Sequence, residues 1–406
     1  MAASPRILLL TAYYFPLQGG VETHARALAR YLVAQGMPVT IVTKRLDAAV
    51  PTPEVIDGIT VHRVWPAGAR TGVRKWLMIP FALGRIIALR HTFDVIYCPG
   101  YQGIGIAAMI AGAVLGKPVV LRSGNLGVLY GNNWNEPLSR LGIGANTPIV
   151  RWLKRAVRSI YTPADAFACN CREIEDEALA CGVPRARVHY LPNAVDVDRY
   201  RPAAPGEKSQ IRAAEGWPQD ALLCLYVGRL SVEKGVMELL EAWRTLTHPN
   251  KRLVLIGPDM PGNPSDLGQV ARQFVAEHGL THEVIFYGES NDGARLLRAA
   301  DLYVQPSHYE AFSNALVEAM ATGLPPVATR IGGMLDCIVD GENGLLATPR
   351  DPVALAEPLA RLMSDPALAA RLGARARETV VSDFNVVTIF GKFAELFRSV
   401  ANRTSQ

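Results

Sequence analysis

Short apolar runs alternate with helix-spaced patterns along the whole chain. The runs Ile7–Leu10, Val39–Thr43, Val95–Cys98, Val119–Arg122, Ala166–Cys169 and Val188–Leu191 predict a first set of strands. After a gap come Leu222–Val227, Leu253–Ile256, Val284–Phe286, Leu302–Gln305 and Pro326–Ala328. Near-continuous Val/Ile/Leu strands separated by helices are the pattern of parallel sheets covered on both faces. The class predicted is α/β, with too many strands for one compact sheet. The break falls in Asp196 to Pro218, a stretch rich in Pro, Gly and charge, as domain boundaries are. This places an N-terminal Rossmann-like domain at 1–198 and a C-terminal one at 199–385. Ile389, Phe390, Phe393, Leu396, Phe397 and Val400 recur at helical spacing, so 386–406 is expected to pack back onto the first domain as an amphipathic helix. Two doubly wound domains direct the carboxyl ends of their strands, and their ligand sites, toward a central cleft.

Composition narrows the function. The chain has 406 residues, 49% hydrophobic and 19% charged, with 42 basic against 37 acidic residues. That is an ordinary globular balance. The surplus of +5 comes without a Lys/Arg block interleaved with aromatics, which argues against nucleic acid as a partner. Six cysteines without a second Cys/His pair at zinc spacing read as free thiols of a reducing, cytoplasmic protein. Val95 to Gly116 carries no charge over 22 residues. A turn signal at Pro99-Gly100 leaves about half of the roughly 20 residues a membrane span needs.

Three loops carry the candidate chemistry. Ser307 to Gly323 follows a strand and opens a helix that Ser313 or Asn314 can cap. A helix terminus there offers N–H donors and a positive dipole end to phosphate. Glu310 lies just before the helix and Glu318 about one turn inside it, a spacing that returns a helical side chain to within about 80° of the same face. Two carboxylates flanking a bound diphosphate suit sugar and ribose hydroxyls. The second loop ends the Leu222–Val227 strand with Gly228-Arg229 and opens a helix with Glu233-Lys234-Gly235. Arg229 and Lys234 thus reach the same sheet edge, where cations can meet the charge of a departing diphosphate. In the third, Gly19-Gly20 leads into a helix containing His24, and glycines admit close approach of backbone to a ligand. Each loop alone also reads as an ordinary strand–helix turn.

Taken together, these elements resemble the retaining glycosyltransferases of family 4, which have the GT-B fold. The match runs over essentially the full length. It rests on Gly19-Gly20-x-x-x-His24, Asn193-Ala194-Val195-Asp196, Gly228-Arg229 with Glu233-Lys234-Gly235, and Glu310 with Glu318 seven residues between. The resemblance implies that Arg229 and Lys234 bind the donor diphosphate, Glu310 the reacting sugar and Glu318 the ribose. It implies further that Ala311, Phe312, Ser313 and Asn314 offer backbone donors. Ser290, Asn291 and Asp292 would lie near the base, and Gly19 and Gly20 would close over the diphosphate. The expected reaction moves a sugar from a nucleotide-diphosphate donor to a saccharide or lipid-linked hydroxyl, with retention and without a metal or other cofactor, in polysaccharide or glycolipid synthesis. An epimerase or hydrolase on the same architecture, or a non-catalytic partner subunit, is the alternative. Many relatives have His where Arg122 stands, so His24 and Arg122 are the acceptor-side candidates.

Two lookalikes carry less. Asp196-Val197-Asp198 is a D-x-D, but in the linker. Gly103-Ile104-Gly105-Ile106-Ala107-Ala108 has the glycines of a dinucleotide fingerprint without the acid about 20 residues on, and reads as helix packing. Finally, Arg70 to Phe93 and Arg151 to Arg158 mix basic and aromatic residues. They suit either an anionic membrane surface or a solvated helix.

Overall fold

The computed structural model describes residues 4–17, 19–47, 49–68, 74–130 and 147–403. The chain divides into two compact units, one of residues 1–193 with 389–406 and one of 194–388. The division falls five residues before the sequence boundary because Val195 and Val197 bury their side chains in the second core. Gln18, Arg70 and the final three residues lie outside the described residues, as do the side chains of Arg74, Lys75 and Trp76.

The first unit contains an eight-stranded sheet built from β1 (Ile7–Leu10), β2 (Val39–Lys44), β3 (Glu54–Ile56), β4 (Ile59–Val64), β5 (Val95–Pro99), β6 (Val119–Ser123), β7 (Ala166–Cys169) and β8 (Val188–Tyr190). Their order is β3-β4-β2-β1-β5-β6-β7-β8, parallel except for the β3–β4 hairpin. That hairpin turns on Asp57 and Gly58, both at positive φ, the geometry of a two-residue type I′ turn. Every residue of β1 is buried, as a strand covered on both faces requires. Gly105 and Gly112 let the Gly105–Leu115 helix pack closely. A Cβ on Gly105 would lie 2.7 Å from Tyr101 Cβ, and one on Gly112 would lie 2.3 Å from Val119. Gly105 of the dinucleotide lookalike is therefore a packing residue, while Gly103 takes a positive φ of 75° in the turn before the helix.

The second unit holds a six-stranded parallel sheet: β9 (Leu222–Val227), β10 (Lys251–Ile256), β11 (Val284–Gly288), β12 (Leu302–Gln305), β13 (Pro326–Thr329) and β14 (Leu345–Ala347), in the order β11-β10-β9-β12-β13-β14. Alternation along β9 divides the core. Leu223 and Leu225 face a cluster with the Asn314–Ala321 helix, while Cys224 and Tyr226 face one containing Trp243. Strands β3, β4 and β14 escaped the sequence reading. All six cysteines are buried and none forms a disulfide.

The last helix, Val386–Arg403, inserts Phe390, Phe393 and Phe397 against the first unit. Their rings meet His24 and Tyr97 at 5.3–5.8 Å between centroids. Phe393 is fully buried. Phe393→Ala should therefore cost the first unit about 3–5 kcal/mol. In urea the transition reporting that unit should move to lower concentration while that of the second unit stays in place.

Candidate functional site

The carboxyl edge of the second sheet gathers five of the predicted side chains. β9 and β12 are neighbours, so the loops that follow them are adjacent. Three glycines make this crowding possible. A Cβ at Gly257 would fall 1.9 Å from the Gly228 carbonyl oxygen, and one at Gly235, φ +67°, would fall 2.0 Å from that of Pro306. One at Gly333 would fall 2.2 Å from the Ala311 oxygen. The Glu233 carbonyl then accepts the His308 amide at 2.9 Å, tying the two loops together.

On this frame the Lys234 ammonium forms an ion pair with Glu310, both side chains mostly buried. Arg229 stands more open, its Nη2 3.0 Å from a Glu233 carboxylate oxygen and its Nη1 3.4 Å from Met260 Sδ. The Tyr226 hydroxyl donates to the Arg229 carbonyl at 2.7 Å and so fixes the loop from below. Ser313 caps the Asn314–Ala321 helix, accepting from the Leu316 amide at 3.2 Å. Its hydroxyl in turn donates to Gln305 Oε1. Tyr303 also donates to that oxygen, while Gln305 Nε2 donates to Ser307 Oγ. This buried network holds the cap in one rotamer. Ala311 and Phe312 are buried beside it, and Asn314 is half-buried as the first helical residue.

Glu318, half-buried inside the helix, meets a residue that the sequence did not single out. The Tyr200 hydroxyl bonds to its carboxylate. Burial pushes the Glu318 carboxyl up to about 7, against the opposing pull of that bond and of Arg199. Glu318 and Glu310 both act on the buried Tyr303 phenol, which burial and its neighbours Tyr226, Glu318 and Glu310 hold well above its usual range. Tyr200 carried no signal, since its partner lies far away in the chain.

Ser290, Asn291 and Asp292 follow β11, two strands from β9. Asp292 caps the Gly293–Leu297 helix, and its own amide donates to Ser290 Oγ at 3.1 Å. The D-x-D has a local use: Asp196 Oδ1 accepts the amides of Asp198 and Arg199 at 3.0 Å. Among the described residues, no group of three or more His, Cys, Asp or Glu converges as metal ligands do.

In the first unit, Gly19 precedes the Gly20–Ala34 helix as its N-cap residue. A cavity of about 210 Å³ opens at the carboxyl edge of that sheet, lined by Thr11, Tyr13, Glu22, Gln102, Ser123 and Asn125 among others. Neither acceptor-side candidate lines it. His24 is buried, its Nε2 3.1 Å from the Tyr97 hydroxyl and its ring between Phe390 and Phe393. Burial keeps it neutral, its pKa far below the usual imidazole range. Arg122 is also buried and donates through Nη2 to Asn193 Oδ1. His24 thus packs against the last helix, and Arg122 ties β6 to Asn193 at the end of the unit.

Comparison with known proteins agrees with this fold. The family described as glycosyl transferases group 1 matches residues 207–379, and the glycosyl transferase 4-like domain matches 19–194. A D-inositol 3-phosphate glycosyltransferase of Xylanimonas cellulosilytica is 29% identical over 92% of each chain. One from Catenulispora acidiphila is 30% identical over 86% of this chain and 83% of its own. Among solved structures, Anabaena HepE in complex with UDP is 22% identical and covers 97% of this chain and 100% of its own, with a TM-score of 0.78. Sucrose-phosphate synthase from Thermosynechococcus elongatus reaches 0.77 at 24% identity, covering 97% of this chain and 99% of its own. Fold and site therefore define a glycosyl-transferring enzyme with two Rossmann-like units. The chain belongs to the family 4 glycosyltransferases of GT-B fold.

The raised Glu318 pKa has a sign that can be tested. A carboxyl whose folded pKa exceeds its unfolded value near 4.5 favours folding below that value. The contribution is lost as pH rises through about 7. Glu318→Gln should match the wild-type melting temperature in mild acid and exceed it in mild alkali. Parallel melting curves across that range would contradict it.

Proposed function

We propose that this enzyme transfers a sugar, with retention and without a metal, from a nucleoside-diphosphate sugar to a hydroxyl of a saccharide or lipid-linked acceptor. The observation that carries the proposal is the Lys234–Glu310 pair beside the Ser313-capped helix. Partly buried opposite charges of this kind need each other, because removing one leaves the other uncompensated. A diphosphate arriving at the helix terminus takes over the ammonium. Glu310 is then released to accept hydrogen bonds from the sugar hydroxyls. Arg229 adds a forked donor for the same phosphates, and Glu318 exchanges the Tyr200 hydroxyl for those of the ribose.

In the transfer itself, the bond from the anomeric carbon to the phosphate oxygen breaks and one to the acceptor oxygen forms on the same face. The acceptor proton passes to the departing phosphate oxygen. Negative charge grows on the diphosphate, and the fixed cations meet it without rearrangement. The Anabaena protein, whose structures contain UDP and UDP-glucose, supports a nucleotide-sugar donor here. The named inositol-phosphate enzymes add a phosphorylated polyol to the acceptors worth assaying, and a pathway for surface polysaccharide or glycolipid fits the same chemistry.

Glu310→Ala should lower kcat by about 100-fold or more, and transfer at the wild-type rate would remove its role. Lys234→Ala and Arg229→Ala should each weaken donor use by about 2–5 kcal/mol in kcat/KM. Chelator should leave turnover unchanged, whereas loss of activity that manganese restores would overturn the metal-free reading. Product analysis separates the rivals: free sugar or an isomer formed at full rate without acceptor would indicate a hydrolase or epimerase.

A further inference from the structure

Charge is distributed very unevenly along this chain. Between Gly58 and Ala164 there are thirteen Lys and Arg residues but only two carboxylates, Asp94 and Glu136, so this stretch carries +11. The whole chain carries +5, which leaves the remainder at −6. The excess is local to the first unit, and it coincides with a helical surface of unusual composition.

That surface consists of three helices side by side: Arg74–Ala88, Gly105–Leu115 and Pro148–Tyr161. None contains an Asp or Glu. Pro148–Tyr161 turns large apolar residues outward, with Ile149 70% and Trp152 66% exposed. Arg151 and Arg155 are exposed on the same helix, and Lys154 and Arg158 are half-buried. Val114 is exposed on the central helix, and Leu77 and Phe81 on the first. Phe81 meets Trp65, itself 55% exposed, at 5.3 Å between ring centroids. A cavity of about 350 Å³ opens between Trp65, Phe81 and Arg85. Scattered apolar residues on a surface need no explanation, but aromatic and aliphatic side chains gathered on three acid-free helices, two of them basic, do.

We propose that this three-helix face docks on an anionic lipid bilayer. Trp65, Phe81 and Trp152 enter the headgroup layer, and Arg85, Arg151 and Arg155 meet lipid phosphates. Charge complementarity selects the occupant. A second copy of the chain would bring the same positive face against itself, whereas an anionic bilayer offers apolar depth and negative charge together. Among the described residues no helix is long and apolar enough to cross a membrane, so the contact is peripheral. Each cation near such a surface contributes about fivefold to partitioning, and salt screens it.

The test is co-sedimentation of the full chain with vesicles of phosphatidylcholine alone or enriched in phosphatidylglycerol. Wild type should bind the enriched vesicles, release them as salt rises and ignore pure phosphatidylcholine. Arg151→Glu with Arg155→Glu should reduce binding by roughly 25-fold or more. Phe81→Ser with Trp152→Ser should abolish what remains at high salt. All four positions are exposed, and UDP-induced thermal shifts of both variants serve as the control for folding and for the donor site. Equal binding to both vesicle types, or variants that bind like wild type, would overturn the proposal. So would concentration-dependent dimers that the same substitutions dissolve. The donor-binding control reads the second unit separately, so failure of docking and failure of the proposed transferase reading remain distinct.

Discussion

An ammonium and a carboxylate held together at one edge of a sheet organise the second unit. Lys234 and Glu310 come from loops after different strands, and each is too buried to stand alone. Bringing them together demands that backbone press on backbone, which is why Gly235, Gly257 and Gly333 sit where a Cβ would collide with a carbonyl. It also demands that the helix cap stay fixed, which the Tyr303–Gln305–Ser307–Ser313 network provides. Substitution at these supporting positions would act on the pair without touching it.

The proposed chemistry follows from what can replace such a pair. A diphosphate is a better partner for the ammonium than one carboxylate, because it brings more charge and reaches Arg229 and the helix terminus together. Glu310, once released, is a hydrogen-bond acceptor of fixed position. Glu318 repeats the logic with a neutral partner: Tyr200 occupies its carboxyl until ribose hydroxyls arrive. In this reading Lys234 and Tyr200 hold the two carboxylates in the positions from which they meet the ligand.

The strands were legible wherever an apolar run was continuous, as in Leu222–Val227 or Leu302–Gln305. Two of the three missed were too short to give a period, Glu54–Ile56 and Leu345–Ala347. The third, Ile59–Val64, contains His62 and Arg63 on a strand at the flank of the sheet. The strand ends and helix starts that carry Arg229, Lys234 and Glu310 were legible because turn and capping residues act locally in the chain. The surroundings of His24 and Arg122 are set by Phe390, Phe393 and Asn193, which spacing along the chain does not reveal. Tyr200 was invisible for the same reason.

The central claim is that fixed side chains neutralise the leaving pyrophosphate. It is tested most directly by diffraction from crystals soaked with an intact nucleotide sugar. The account predicts phosphate oxygens within hydrogen-bond distance of both the Lys234 ammonium and the Arg229 guanidinium, with Glu310 turned to the sugar. A diphosphate bound through a metal ion, or bound while Lys234 still pairs with Glu310, would contradict it.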